Sequence, residues 1–220
     1  MSLINIKNVY KSYTVKKSKL SVLENINLEV ENGDFLALLG DSGCGKSTFL
    51  RILGCLESYD KGEYVFDKQN INSLNPAQIA KIRNKSIGFV FQNFGLIPEM
   101  TAFENIEIPL GYAGVKKSDR VQRVHELLEQ FGLPDKADAF PNQLSGGQQQ
   151  RIAVARAIAN NPRVLLADEP TGNLDKDNSV KIINIFKNLN EKGITVIMVT
   201  HDLKIAEYAK KSLYIKDLEK

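Results

Sequence analysis

Gly40-Asp41-Ser42-Gly43-Cys44-Gly45-Lys46-Ser47 follows an apolar run, Phe35–Leu39, and precedes a helical pattern predicted over Thr48–Cys55. The octapeptide has the form G-x-x-x-x-G-K-[ST], and strand–loop–helix is the context in which such a loop wraps phosphate. Glycines let successive backbone N–H groups turn inward around a β-phosphate, and the helix N-terminus adds positive dipole. Gly40, Ser42, Gly43, Cys44, Gly45, Lys46, Ser47 and Thr48 are therefore candidate nucleotide-binding residues. Lys46 is expected to reach the β- and γ-phosphates, and the Ser47 hydroxyl to ligate Mg²⁺.

Working outward, three more apolar runs read as buried strands: Ile87–Phe91, Val164–Ala167 and Ile194–Thr200. Helical patterns lie between them. Ile182, Ile185, Phe186 and Leu189 repeat at helical spacing with Gly193 closing the helix, and Asn75-Pro76 opens another with a cap and an early proline. Strands alternating with helices imply a largely parallel sheet covered on both faces. Each apolar run is followed at once by polar residues, so the chemistry is expected beyond the carboxyl ends of the strands.

Leu3–Val9 and Leu23–Val30 alternate like half-buried strands around a lysine-rich stretch, Lys16–Ser21, and predict a small antiparallel sheet. Residues 93–145 turn helical, with Thr101 and Glu104 forming a capping box and a second helix predicted from about Ser118 to Phe131. A last strand is predicted over Ser212–Lys216. The expectation is an α/β P-loop fold over 1–220, one domain, with an N-terminal antiparallel subdomain and a helical subdomain inserted at 93–145.

Composition narrows the function. With 29 Lys+Arg against 26 Asp+Glu the net charge is +3, too small and dispersed to indicate nucleic-acid binding. No apolar run approaches the ~20 residues that span a bilayer, and Met1–Tyr10 lacks a secretory signal pattern. Cys44 and Cys55 form neither a disulfide framework nor a CxxC pair, which fits a reducing cytoplasm. Collagen, coiled coil and small secreted scaffolds are excluded.

Two further motifs carry chemistry. In Val164–Glu169, a buried strand ending in a carboxylate sets Asp168 beside the Mg²⁺ shell, and Glu169 is positioned to polarise a water. A base of that kind typically contributes about 10²–10⁴-fold. Two acids after a strand are more often solvated loop charges; the upstream P-loop reverses those odds. Leu144-Ser145-Gly146-Gly147-Gln148 fits a capping box and so a plain helix start, yet its two glycines also leave a polarised helix end open to an anion. The helix that follows, Ile152–Ala159, is apolar almost all round and should be buried, broken only by Arg151 and Arg156.

With LSGGQ at 144–148, the sequence resembles the nucleotide-binding subunits of ABC transporters over essentially its whole length. The resemblance implies ATP and Mg²⁺ as ligands and a head-to-tail dimer of two copies. Ser145, Gly146, Gly147 and Gln148 of one copy would close on the γ-phosphate held by Lys46 of the other. It further implies that Tyr13 stacks on adenine, and that Gln92 senses Mg²⁺ and the transport partner. Asp175 would act across the dimer and His201 would contact the γ-phosphate. Tyr13 also reads as a plain surface aromatic of the antiparallel sheet. Asp41 and Cys44 depart from the proline and serine common in relatives; Cys44, at a helix N-terminus, is a candidate reactive thiol.

Ile87–Pro98 and Ile108–Gly114 look like the branch of macrolide exporters, lipoprotein-release ATPases and bacitracin-resistance ATPases. That implies an integral-membrane permease docking near Gln92–Met100 and a place on the cytoplasmic face of the membrane. The apolar side chains there, Phe94, Leu96, Ile97 and Met100, either receive the permease or pack the helical subdomain. With Lys220 following soon after the predicted strand Ser212–Lys216, no C-terminal regulatory domain is expected. Two other classes stay open: a P-loop phosphotransferase, and an ABC ATPase driving a signalling or cell-division complex that transports nothing.

Overall fold

The computed structural model describes residues 2–15 and 18–219. In chain order the elements are β1 (Ser2–Val15), β2 (Ser18–Glu31), β3 (Phe35–Leu39), α1 (Lys46–Leu53), β4 (Lys61–Phe66), β5 (Gln69–Asn70), α2 (Pro76–Ser86) and β6 (Ile87–Val90). They continue with α3 (Ala102–Tyr112), α4 (Lys117–Gln130), α5 (Gly146–Ala157), β7 (Val164–Asp168), α6 (Lys176–Glu191), β8 (Thr195–Val199), α7 (Leu203–Ala206) and β9 (Lys211–Tyr214).

Five strands form a parallel sheet in the order β6-β7-β8-β3-β9, and four form an antiparallel sheet in the order β2-β1-β4-β5. The P-loop strand β3 lies inside the parallel sheet with all five of its side chains buried. Alternation along it explains the layering. Phe35, Ala37 and Leu39 face a core shared with α3 to α6, including Ile106, Val124, Val154 and Phe186. Leu36 and Leu38 face a second core, built with Phe49 and Leu50 of α1 and with Ile4, Ile6, Leu23 and Val30 of the antiparallel sheet. Each fully buried Leu, Ile or Phe contributes roughly 1.5–3 kcal/mol.

The differences from the sequence expectation are local. Gly45 adopts φ +91° as the N-cap of α1, so the helix begins at Lys46 instead of Thr48; it ends before Gly54 because Cys55 turns left-handed at φ +53°. β1 and β2 run longer than expected, and residues from Ser18 onward already belong to β2; Lys16 and Lys17 of the lysine-rich stretch lie outside the described residues. β4 was not foreseen. Its hairpin to β5 turns on Asp67 and Lys68, both at positive φ (+45° and +67°), without the glycine or asparagine that marks such turns in a sequence. The last strand stops at Tyr214, where the chain enters a 3₁₀ turn over Ile215–Leu218 that buries Ile215 and Leu218. The capping boxes at Asn75, Thr101 and Ser145 form as their sequences imply, and α5 is buried through Ile152, Ala153, Val154 and Ala155. The helices α3 and α4 form an inserted helical subdomain between β6 and α5.

Candidate functional site

The loop between β3 and α1 is glycine-dependent for two separate reasons. At Gly45 the backbone is left-handed, and a Cβ would stand 2.8 Å from both the Val22 carbonyl oxygen and Leu23 Cδ2 of β2. The antiparallel sheet thus presses directly on the phosphate loop. At Gly40 a Cβ would meet Cys44 Sγ at 2.6 Å. Lys46 is buried and folds back along the loop, donating from Nζ to the carbonyl oxygens of Gly40 and Asp41 at 2.7 Å each. Asp41 turns its carbonyl to the lysine and is itself exposed. Cys44 Sγ lies 3.9 Å from the Lys46 ammonium.

Directly after the glycine loop, Ser47 Oγ donates to Asp168 Oδ1 at 2.8 Å, joining α1 to the end of β7. Burial holds the Asp168 carboxyl above its usual range, against the opposing effect of the Ser47 hydrogen bond. A hydroxyl and a carboxylate side by side are hard oxygen donors of the kind Mg²⁺ takes. Among the described residues no cluster of three or more His, Cys, Asp or Glu could hold a metal unaided. That sparse donor set fits Mg²⁺, which binds through one or two protein oxygens plus water and substrate phosphates.

Glu169, the next residue, sits at φ +43°, a left-handed backbone that costs roughly 1–3 kcal/mol in a non-glycine residue. Two backbone bonds hold it there: its N–H donates to Val199 of β8 and its carbonyl accepts from Gly172, each at 3.0 Å. The strained turn aims the carboxylate at two partners. Oε1 lies 3.2 Å from His201 Nδ1, and Oε2 accepts from Gln92 Nε2 at 3.3 Å. His201 is 67% exposed and Glu169 only 21%. Gln92, Asp168, Glu169 and His201 therefore converge beyond the ends of β6, β7 and β8.

The Ser145–Gln148 segment is placed differently. Ser145 and Gln148 cap α5 reciprocally, and their hydrogen bonds stay within that helix start. Gly146 lies 3.6 Å from Phe94 and Leu174, measured from an added Cβ, and at Gly147 that Cβ would stand 2.6 Å from Asn178. Asp175 caps α6, accepting from the Asn178 backbone at 2.8 Å and its side chain at 2.6 Å. Tyr13 is at the far end of β1, with its hydroxyl 3.5 Å from Thr48 Oγ1.

Four residues outside the sequence expectations hold these loops. Asn173 donates to the Gln92 carbonyl and to Asn93 Oδ1, and Arg156 donates to the Gly95 and Phe94 carbonyls. Fully buried Asn105 ties Ile97, Met100 and Thr101 together. Gln150, also fully buried, donates to the Pro170 carbonyl at 2.8 Å. A polar residue inside an apolar helical pattern, as at Asn105 and Arg156, was the one available signal.

The apolar stretch after Gln92 divides. Leu96 packs on the core beside the helical subdomain, which gives it the packing role of the two considered. Ile97 instead lines a groove of about 890 Å³ with Ala80, Phe89, Phe91, Ile108 and Tyr112, between α2, β6 and α3. Tyr112 is 85% exposed at its rim.

The family model described as "ABC transporter" matches residues 23–172. This chain belongs to the ABC transporter family. Among its ABC relatives, the uncharacterized ABC transporter ATP-binding protein YvrO of Bacillus subtilis is 46% identical over 99% of this chain and 95% of its own length. The macrolide export ATP-binding/permease protein MacB of Syntrophobacter fumaroxidans is 49% identical over 99% of this chain, which spans only 31% of MacB. A dimeric structure of the ABC cassette MJ0796, a protein of Methanocaldococcus jannaschii, in a post-hydrolysis state with ADP and Pi superposes with a TM-score of 0.89. It is 44% identical and the match covers 96% of this chain and 93% of that one. The ABC chain described here is an ATPase subunit of a transporter, with the P-loop α/β fold of such cassettes.

Proposed function

We propose that this ABC ATPase works as a head-to-tail homodimer that drives a membrane permease of the macrolide-export branch, moving a drug, antimicrobial peptide or lipid-linked substrate outward. The carrying observation is Glu169, whose carboxylate stands between Gln92 and His201, one residue from the Ser47–Asp168 pair. Resemblance to the dimeric MJ0796 cassette and to MacB supports the assembly.

The roles follow from chemistry. Lys46 and the backbone N–H groups from Gly40 to Thr48 bind the triphosphate. Ser47 and Asp168, with Gln92 close by, would hold Mg²⁺, which would neutralise phosphate charge. Glu169 takes a proton from water as the water oxygen bonds to the γ-phosphorus and the bond to ADP breaks. His201 steadies both the Glu169 carboxylate and the γ-phosphate. Gln92 orients Glu169 from the other side and connects it to the loop that carries Ile97. Ser145, Gly146, Gly147 and Gln148 present the start of α5 to the other copy's nucleotide, with Asp175 beside them at the dimer face. Residues 1–220 act as one domain, in which 93–145 is the helical subdomain that carries this second surface.

The groove between α2, β6 and α3 is the proposed permease seat, which holds the chain on the cytoplasmic face of the membrane. Among the described residues no helix is long and apolar enough to cross it. The dimer reading is tested by ATPase rate per subunit against protein concentration. A steep rise that saturates is expected; a rate independent of concentration would mean that a single copy hydrolyses ATP alone and would overturn the dimer reading.

A further inference from the structure

Tyr13 is not a free aromatic at a strand end. Its hydroxyl donates to the Glu57 carboxylate, on the loop that follows α1. Glu57 is in turn paired with Lys11 at 3.2 Å. Lys11 is buried, donates to the Ser58 carbonyl at 2.7 Å, and holds its ammonium 5.0 Å from the centroid of the Tyr13 ring. One residue along, the Ser12 hydroxyl donates to Asp60, and the Asp60 N–H donates to the Tyr10 carbonyl at 2.8 Å. The end of β1 is therefore stitched to the 57–60 loop by side chain and backbone together.

We propose that Glu57 is a positioning residue for nucleotide binding: it fixes the Tyr13 ring as a platform for the nucleobase at a set distance from the phosphate loop. This rests on the reading of Tyr13 as the residue that stacks on the base. An exposed tyrosine must give up rotamer freedom when a base stacks on it, a loss of roughly 0.5–1.5 kcal/mol per immobilised side chain. A hydrogen bond to a carboxylate removes most of that freedom in advance. The Lys11 ammonium engages one ring face through the ring quadrupole, so the base stacks on the other. The Tyr13 hydroxyl is already engaged by Glu57, so the platform offers the base a face and no hydrogen bond. Because Glu57 lies on the short loop that leaves α1, four residues after its end at Leu53, and the Tyr13 hydroxyl lies 3.5 Å from Thr48 Oγ1, base platform and phosphate cradle are set by one piece of chain.

The test compares binding of Mg·ATP and of inorganic tripolyphosphate, which has no base, by titration calorimetry. Glu57→Ala is expected to weaken ATP about 3–10-fold, the range that the rotamer term sets, and to leave tripolyphosphate unchanged. Tyr13→Phe, which keeps the ring and loses the hydroxyl, should weaken ATP similarly. The double variant should be no worse than either single one. Equal weakening of both ligands in Glu57→Ala would mean a damaged phosphate loop and overturn the proposal. So would wild-type ATP affinity in Glu57→Ala while Tyr13→Ala binds ATP weakly. Wild-type affinity in Tyr13→Ala would instead overturn the platform reading on which the proposal rests.

Discussion

Asn173 donates from Nδ2 to the carbonyl oxygen of Gln92 at 3.1 Å, so the loop after β7 holds the loop after β6 through a single amide. The same nitrogen also donates to Asn93 Oδ1 at 3.0 Å. Gln92 in turn touches Glu169, and the chain beyond it carries Ile97 into the groove. The loop that lines the groove is therefore linked to the Glu169 carboxylate through the side-chain hydrogen bond of Gln92.

Asn173→Ala removes both bonds at a site open to solvent, where water replaces them and the net loss is about 0.5–1.5 kcal/mol. Hydrogen exchange of residues 92–97 should quicken while the melting temperature falls by only about 1–6 °C. ATPase should fall several-fold, because Gln92 no longer holds its place. Unchanged exchange at 92–97 would show that Arg156 and Asn105 fix the loop without Asn173.

Asp168 provides a pH signature. Burial raises its folded pKa above the unfolded value, so its contribution to stability is fully present below the ordinary carboxylate range and is lost as pH rises through the raised value. Asp168→Asn keeps an oxygen to accept from Ser47 and carries no charge to bury. Nucleotide-free Asp168→Asn should melt above the wild type at neutral pH, the gap closing as pH falls. Thermal shifts across that range check it, and the same variant should lose the extra stabilisation that Mg²⁺ adds to ATP.

Tyr112 is almost wholly exposed at the groove rim, so a charge there has little effect on folding, within about 0.5 kcal/mol. Tyr112→Glu should abolish recovery of a permease from membranes while the isolated subunit keeps its ATPase. Leu96→Glu would not make this separation, since Leu96 packs on the core. Retention of the permease by Tyr112→Glu would move the docking surface elsewhere.

Much of this was legible in the residues themselves. The P-loop glycines, the buried strand ending in Asp168 and the capping box at Ser145 each have a local cause, so their sequence spacing is enough. What escaped had nonlocal causes. β4 pairs with β1, and its buried Tyr64 bonds to the Leu53 carbonyl of α1, a relationship that no window of sequence contains. The strained backbone of Glu169 depends on Val199, thirty residues on in another strand. Asn173 stands two residues before Asp175, but its partners Gln92 and Asn93 belong to a different loop. The split between Leu96 and Ile97 needed the packing of α3 on the core.

The central claim is that Glu169 is the base of an ATPase completed by a second copy. Glu169→Gln keeps the size of the side chain and removes the proton acceptor, so turnover should fall by about 10²–10⁴-fold. Size-exclusion chromatography with light scattering, run on this variant with Mg·ATP, should give a dimer that retains unhydrolysed ATP. A variant that hydrolyses ATP at the wild-type rate, or binds ATP and elutes as a monomer, would contradict it.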